Sequence, residues 1–183
     1  YKPLSEADMQ AIHRAALEAL EEIGLADAPP SGVAYLTGAG AILGDDGRIR
    51  FPRALVEDTL AMANRQITLC ARDPAHDLEL GGNRVHFGTA GAAVHMVDAQ
   101  GRNYRECGVQ DLHDAARICD TLDNIHFVQR PMVCRDIPDN QEMDLNTIFA
   151  CCSGTAKHIG TSFTEPSFVP KALEMLHMIA GGE

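Results

Sequence analysis

The sequence predicts an α/β fold, and two observations lead to that prediction. Three short apolar runs, at 84–91, 126–134 and 157–163, each end in small or polar residues. Each run leads into a helical pattern, the first one after an intervening hairpin pattern. This order is typical of βαβ units, whose functional residues stand at the C-terminal ends of the strands. Because three units cannot close a (β/α)8 barrel, residues 81–183 form either a small open domain or the first part of a barrel.

Residues 1–80 are predicted to form an α+β lead-in section. Its predicted elements, in order, are a helix at 4–24, a loop at 25–32, a hairpin at 41–51, a helix from 52 to about 64, a strand at 66–70 and a turn-rich connector at 72–77. Ser5 can cap the first helix, and Gly24 suits the left-handed residue after its last turn. Asp46 and Gly47 supply the positive φ angles that the hairpin turn needs.

Residues 81–183 are predicted to contain the three βα units. The elements, in order, are a strand at 84–91, a hairpin at 92–107, a helix at about 109–122, a strand at 126–134, a helix from 139 to about 153, a strand at 157–163 and a helix from 166 to about 180. Asp139 and Glu142 form a capping box, and Pro166 suits a first helical turn. The strands begin 42 and 31 residues apart, a spacing that fits βαβ units.

Composition and charge limit the classes of function. The chain has 183 residues, 45% of them hydrophobic, and a formal net charge of −11 at pH 7. This acidic balance argues against nucleic acid or an anionic membrane as a partner and permits attraction of a cationic ligand. No apolar run reaches the roughly 18 residues that a membrane span needs, and no signal-peptide pattern opens the chain. We therefore expect a cytoplasmic protein.

The candidate binding residues stand where the predicted strands end. The run GTAG at 88–91 lets a backbone approach a ligand closely, although a tight bend explains its glycines equally well. Arg130 can hold a carboxylate by a two-pronged pair of hydrogen bonds, with a salt bridge to a helix acid as the alternative. Strand alternation points Gln129 and Arg130 to opposite faces.

The end of the third strand combines hydroxyls with an aromatic ring and a carboxylate. The face of Phe163 can hold a quaternary ammonium with Glu165 nearby, although packing in the core is the other interpretation of Phe163. The complete set of candidate substrate-binding residues is Gly88, Thr89, Gly91, Gln129, Arg130, Thr161, Ser162, Phe163 and Glu165.

Histidines and cysteines show no pattern of a metal or redox site. The eight histidines and six cysteines include no H-E-x-x-H or C-x-x-C spacing, so we expect no metal site. The cysteines, among them the adjacent Cys151 and Cys152, are expected to be reduced and to pack as small hydrophobic residues.

Five stretches of the sequence carry a family resemblance. They are LSEADMQAIHRAALEALEEIG (4–24), GAGAILGDDGRIRFPRALVEDTLAMA (38–63), ARDPAHDLELGGNRVHFGTAG (71–91), VDAQGRNYRECGVQDLHDAARICDTLDNI (97–125) and TAKHIG (155–160). Together they resemble the N-terminal portion of the trimethylamine methyltransferase family. The resemblance implies the N-terminal part of a TIM (β/α)8 barrel, and we expect the branch that lacks pyrrolysine and acts on quaternary amines.

The resemblance also implies a reaction and a partner. The enzyme would move a methyl group from a methylated amine, such as glycine betaine or trimethylamine, to the cobalt of a separate corrinoid protein. It implies that the partner carries the cobalamin and that this chain binds no cofactor directly. It also implies a homo-oligomer, and a fragment with an incomplete barrel is expected to be inactive alone.

Two other interpretations stay open. The first is a non-catalytic binding or assembly protein with the same fold. The second is another TIM-barrel enzyme, such as an aldolase, in which Lys157 forms a Schiff base; Lys157 stands at a strand start, which is the wrong end for catalysis in such folds.

Overall fold

The computed structural model describes residues 2–182, which form a mixed α/β protein of two compact units. The first unit ends at Asn64 and the second begins at Arg65. Tyr1 and Glu183, the outer ends of the two predicted sections, lie outside the described residues. Among the helices described, none is both long enough and apolar enough to cross a membrane.

The described part of the first unit contains three α-helices and one strand pair. Its elements are α1 (Glu6–Glu18), a π-helical turn (Ala19–Ile23), α2 (Pro30–Gly38), β1 (Ile42–Leu43), β2 (Ile49–Arg50) and α3 (Arg53–Met62). The predicted cap of α1 is confirmed, because the Ser5 hydroxyl accepts from the Asp8 amide at 3.2 Å and Asp8 accepts from the Ser5 amide at 3.0 Å. Gly24, with a φ of 67°, ends this helical stretch.

The hairpin predicted at 41–51 is confirmed by β1 and β2, and the helix predicted from 52 to about 64 is confirmed by α3. At the hairpin turn Gly47 has the expected positive φ, 74°, whereas Asp46 does not, and Ile49 is fully buried. The sequence pattern does not predict α2, which begins inside the predicted loop at 25–32. Gly32 and Gly38 lower its helical propensity, so its proline start is the main local signal.

The described part of the second unit alternates strands and helices. Its elements are β3 (Ile67–Leu69), a 3₁₀ turn (Pro74–His76), β4 (Leu78–Leu80), β5 (His95–Val97), β6 (Tyr104–Glu106), α4 (Val109–Asp120), β7 (Phe127–Gln129), α5 (Asn140–Gly154), β8 (His158–Gly160), a second 3₁₀ turn (Pro166–Phe168) and α6 (Val169–Ile179). The predicted hairpin at 92–107 is confirmed by the antiparallel pair β5–β6. The three predicted helices of this part are confirmed in α4, α5 and α6.

The strand predicted at 66–70 finds a partner that the sequence pattern does not predict. It forms β3 and pairs antiparallel with β4. This pair lies in the second unit, although the sequence analysis places it in the lead-in section of residues 1–80. The functional division into a lead-in section and barrel units stays a prediction.

The segment predicted as a strand at 84–91 runs parallel to β7, but it does not form the regular hydrogen-bonded ladder of a strand. The segment makes a single parallel bridge from Gly88 to Phe127. Phe87 donates its amide to Nδ1 of His126 at 2.9 Å and accepts from the His126 amide at 2.7 Å. Because a side chain and isolated bridges replace a regular ladder, no continuous strand forms in this described segment.

Strands β7 and β8 are shorter than the runs predicted at 126–134 and 157–163. The last bond between them runs from the Arg130 amide to the Gly160 carbonyl oxygen, at 2.9 Å. Pro131 follows directly, and a proline has no amide hydrogen with which to continue a ladder. The apolar pattern extends beyond the ladder because the following residues are still half-buried.

Three parallel segments therefore run side by side in chain order. They are 84–93, β7 and β8, and Val128 pairs with Ile159 in the middle of the β7–β8 register. α5 connects β7 to β8, which makes a βαβ crossover. This is the part of the fold that determines where the strand ends, and hence the candidate residues, come together.

The core lies between these strands and the helices that follow them. The first cluster consists of Leu112, Cys134, Ala150 and Cys151, with Val109, Met132 and Ile159 packed against it. The second consists of Ile148, Cys152 and Ala172, with Leu145, Ile159, Phe163, Met175, Leu176 and Ile179 packed against it. α4 and α5 touch at Gly154, where an added Cβ would lie 2.7 Å from the Cβ of Ala116. A side chain at that position would force the two helices apart.

All six cysteines are free thiols, and five of them are buried, which confirms the expected packing as small hydrophobic residues for those five. Burial raises the pKa of the Cys151 thiol to about 12 and that of Cys134 to about 11. Cys70 is exposed. The buried thiols are therefore protonated and poorly nucleophilic at neutral pH.

An ion pair ties the β5–β6 pair to the start of α4. Nη1 and Nη2 of Arg105 donate to the two carboxylate oxygens of Asp111, both at 2.7 Å. The Gly108 amide donates to the same carboxylate at 2.9 Å. The Arg105 guanidinium therefore holds the pKa of Asp111 below its ordinary value, against the opposing effect of burial and with help from the Gly108 bond.

We expect Asp111→Asn to lower the free energy of unfolding by about 1 kcal/mol at neutral pH, because the ion pair with Arg105 is lost and the Gly108 amide keeps only a neutral acceptor. A carboxyl group whose pKa is lowered in the folded state stabilises the fold fully at pH values above its ordinary pKa. This stabilisation is lost as the pH falls towards the lowered pKa. The difference between wild type and variant should therefore shrink below pH 3.8, in urea unfolding followed across that range. Asp123→Asn, at an exposed position, is the control. A difference for Asp111→Asn that persists unchanged in acid would contradict this account.

Candidate functional site

The C-terminal ends of β7 and β8 lie side by side. Gln129, the last residue of β7, pairs with Gly160, the last residue of β8. The Thr89 hydroxyl donates to the Gln129 carbonyl oxygen at 2.6 Å, which brings the 84–93 segment to the same edge. The structure thus gathers the ends of the three parallel segments, with most of the predicted binding residues, at one edge of the sheet.

The side chains of Gln129 and Arg130 leave this edge on opposite faces. Gln129 lies over β8, because a Cβ added to Gly160 would be 3.0 Å from the Gln129 Cδ. Arg130 follows Gln129 directly and is in phase with Val128, the fully buried residue of β7, so strand alternation directs its side chain to the other face.

Two polar atoms at this edge are buried without a hydrogen-bond partner among the described residues. They are Nη1 of Arg130 and Oγ1 of Thr161. The other guanidinium nitrogen, Nη2, donates to the Ser162 hydroxyl at 3.2 Å. Buried polar atoms without partners are uncommon, and each needs an explanation. Since a guanidinium N–H can only donate and a hydroxyl can donate, each of the two atoms is suited to an acceptor such as a carboxylate.

The two predicted glycines have different structural roles. A Cβ at Gly88 would lie 2.6 Å from the Cδ2 of Phe127, so the phenyl ring occupies that space. Gly91 has a φ of 102° and open space around it, so the backbone conformation itself favours glycine there. Both observations fit a tight bend of the chain, and ligand binding by either residue stays a prediction.

Phe163 and Glu165 make contacts of a different kind. Phe163 is half-buried and packs against the second core cluster. Glu165 precedes the 3₁₀ turn at Pro166–Phe168, and its carboxylate accepts from the Ser167 hydroxyl at 3.2 Å. The structure therefore gives Phe163 the core position that the sequence analysis weighs against ammonium binding. Ammonium binding by this pair stays a prediction.

The structure adds one buried carboxylate that the sequence analysis does not single out. Asp144 in α5 is fully buried. It accepts from the Thr164 amide at 2.6 Å, the Thr164 hydroxyl at 3.1 Å and the Glu165 amide at 3.2 Å. The sequence feature that points to Asp144 is its place on the buried face of α5, one turn before Ile148 and two turns before Cys151.

The other end of β8 is held by Lys157. This lysine is buried, and its Nζ donates to the carbonyl oxygens of Cys119, Leu122 and Ile125 at 2.8, 2.8 and 2.7 Å. All three ammonium hydrogens are thus bonded to backbone at the C-terminal end of α4 and in the turn after it. A Schiff-base role for Lys157 finds no support in this environment, because such a role needs a free amine and all three hydrogens of this ammonium are bonded to carbonyl oxygens.

A polar cavity of about 600 Å³ also lies at this opposite end. It is lined in part by His76, Arg84, His86, Asp120, His126 and Lys157. Within the described chain, no three His, Cys, Asp or Glu side chains are arranged to hold a metal ion. The residues predicted to bind substrate lie away from this cavity, at the C-terminal ends of the strands.

Comparison with known proteins identifies relatives along the whole chain. The family model described as trimethylamine methyltransferase matches residues 1–183. The trimethylamine methyltransferase MttB of Desulfitobacterium hafniense (strain DSM 10664 / DCB-2) is 31% identical over 182 residues, which are 98% of this chain and 36% of that protein. The trimethylamine methyltransferase MttB1 of Methanosarcina mazei is 28% identical over 155 residues, which are 82% of this chain and 31% of that protein.

A relative with a different named substrate is also similar. The glycine betaine methyltransferase of Desulfitobacterium hafniense (strain Y51) is 28% identical over 140 residues, which are 76% of this chain and 29% of that protein. The chain spans about a third of the length of the curated relatives it matches, from 29% to 36% in these three comparisons.

Proposed function

Because this chain belongs to the trimethylamine methyltransferase family, we propose that it is part of an enzyme that transfers a methyl group from a quaternary amine to the Co(I) of a corrinoid held by a partner protein. The corrinoid supplies the nucleophile, and the chain itself binds no cofactor directly. We place the enzyme in the cytoplasm and expect it to self-associate as a homo-oligomer.

The chemistry assigns this chain a positioning task. As the methyl group leaves, its bond to nitrogen breaks and the bonding electrons stay on the nitrogen, so a neutral amine is released and no general acid is needed. What accelerates such a reaction is orientation of the methyl group and exclusion of water. An edge built from hydroxyls, an amide and a guanidinium on rigid strand ends supports that task.

The observation that carries the choice of substrate is the pair of unpartnered atoms, Nη1 of Arg130 and Oγ1 of Thr161. An arginine N–H and a hydroxyl that both lack a partner favour a substrate that brings an acceptor such as a carboxylate. A betaine has such a group beside its quaternary nitrogen, whereas trimethylamine has none. We therefore propose a betaine as the substrate, and the similarity to a glycine betaine methyltransferase supports this choice.

We further propose that the parallel segments are the first strands of a TIM barrel. Three segments in chain order, with α5 crossing between the last two, match the start of such a barrel. The curated relatives are about three times as long as this chain, a length that leaves room for the remaining strands.

The test is methyl transfer by the natural full-length protein. It is mixed with the reduced corrinoid partner and, in separate reactions, glycine betaine, a second betaine, trimethylamine or no amine, while the Co(I) absorbance is followed. We expect the absorbance to fall with one betaine and to stay constant with no amine. Loss with trimethylamine alone would overturn the choice of substrate. No loss with any amine would favour a non-catalytic binding or assembly protein with this fold.

A further inference from the structure

We propose that Asp144 is a positioning residue, which fixes the loop after β8 and so shapes the substrate-binding edge. This inference rests on the proposed function, because it assumes that the edge binds the amine. It concerns a residue that does not itself stand at a strand end. Its contribution would be exerted through the backbone of Thr164 and Glu165.

The geometry around Asp144 is that of an anchor. One carboxylate oxygen accepts both backbone amides, from Thr164 at 2.6 Å and from Glu165 at 3.2 Å. The other accepts the Thr164 hydroxyl at 3.1 Å. A single buried side chain therefore fixes two successive peptide units of the loop, which an exposed loop cannot do for itself.

The anchor stands on a rigid part of the fold. Asp144 lies in α5, which packs against α4 and α6 through buried residues that include Ile148 and Cys151. The loop that it holds begins directly after β8 and carries Ser162, to which Arg130 donates. Through this chain of contacts, the position of α5 determines where the acceptor for Arg130 stands.

No salt bridge to Asp144 exists among the described residues, so neutral donors satisfy the carboxylate. This makes Asp144→Asn an informative change. The asparagine has the same shape but carries no negative charge. Its oxygen can still accept from the two amides, and the Thr164 hydroxyl must turn to accept from its amide group, so all three hydrogen bonds lose the charge that strengthens them, with little change in volume.

Asp120 offers a matched control at the other end of the same strand. It accepts from the Thr155 hydroxyl at 2.6 Å and from the Ala156 amide at 2.9 Å, directly before β8. Asp120 and Asp144 thus make the same kind of contact, one at the entry to β8 and one at its exit. Loss of either should destabilise the protein, but only the exit lies at the candidate binding edge.

The experiment uses the natural full-length protein with Asp144→Asn and Asp120→Asn. Binding of glycine betaine is measured by calorimetry without the corrinoid partner, and amide hydrogen exchange is measured over residues 161–165. For Asp144→Asn we expect a rise in Kd of about tenfold and exchange of the loop amides at least about tenfold faster. For Asp120→Asn we expect a Kd within about twofold of wild type despite its lower stability.

If Asp144→Asn does not fold, less disruptive variants still test the inference. Thr164→Val removes one hydrogen bond from the loop and should raise Kd by about three- to fivefold, whereas Thr155→Val at the entry should leave it unchanged. Equal effects of Thr164→Val and Thr155→Val on the Kd would overturn the inference. Unchanged amide hydrogen exchange of the loop in Asp144→Asn would overturn it as well. If wild type binds no amine, the proposed function fails, and the exchange data still decide whether Asp144 orders the loop.

Discussion

Replacing Lys157 by methionine is expected to lower the free energy of unfolding by about 3–5 kcal/mol, since three carbonyl oxygens lose a charged donor in the interior. Methionine fills a similar volume, so the loss measures the ammonium and not a cavity. The three carbonyls belong to the end of α4 and the turn after it, where the helix dipole also favours a positive charge. Chemical denaturation of the second unit, followed by circular dichroism, is the measurement.

Lys171→Met is the control for this prediction. Lys171 is exposed on α6 and its ammonium lies 4.9 Å from the centre of the Phe168 ring, a contact worth about 0.5–1 kcal/mol. If Lys157→Met proved as mild as Lys171→Met, the three hydrogen bonds to Lys157 would not be the stabilising feature that the structure indicates.

Replacing Arg130 by methionine is expected to weaken binding of glycine betaine by about 30- to 100-fold, which corresponds to about 2–3 kcal/mol. The reason is the loss of a charged donor whose Nη1 is buried and has no partner among the described residues. Because trimethylamine has no carboxylate, its binding, where it occurs, should change by less than about threefold. Calorimetry on the natural full-length protein measures both.

Arg135→Met provides the matched control, because Arg135 is an exposed arginine five positions along the chain. It should bind glycine betaine with the wild-type Kd. Equal losses for a betaine and for trimethylamine in Arg130→Met would contradict carboxylate binding and would indicate a purely structural role for this arginine, such as holding Ser162.

Local sequence patterns predict the helices of the second unit well, because an apolar stripe and a cap are properties of neighbouring residues. The βαβ crossover follows from such patterns too. Strand lengths are predicted poorly. The run at 84–91 looks like a strand, yet its bend and the imidazole of His126 replace most of a ladder. Whether a short apolar run forms a ladder depends on partners that are distant in the sequence.

The candidate site, too, is predicted from the sequence only in part. The rule that function stands at strand ends brings Thr89, Gln129 and Arg130 to one edge without any knowledge of the structure. It cannot reveal the anchor of the loop, since Asp144 and Thr164 are 20 positions apart and no local periodicity links them. It also cannot show which of the polar groups at the edge remain unpaired after folding.

The different exposure of the cysteines makes their modification rates a measure of local unfolding in the second unit. A thiol reagent should modify the exposed Cys70 at its intrinsic rate, whereas the five buried thiols can react only when the core around them opens. The ratio of the slow rates to the fast one then gives the free energy of each opening event. Cys134 and Cys151 report on the cluster between α4 and α5, while Cys152 reports on the one that includes α6. The order in which these parts of the core open can thus be timed without any engineered label.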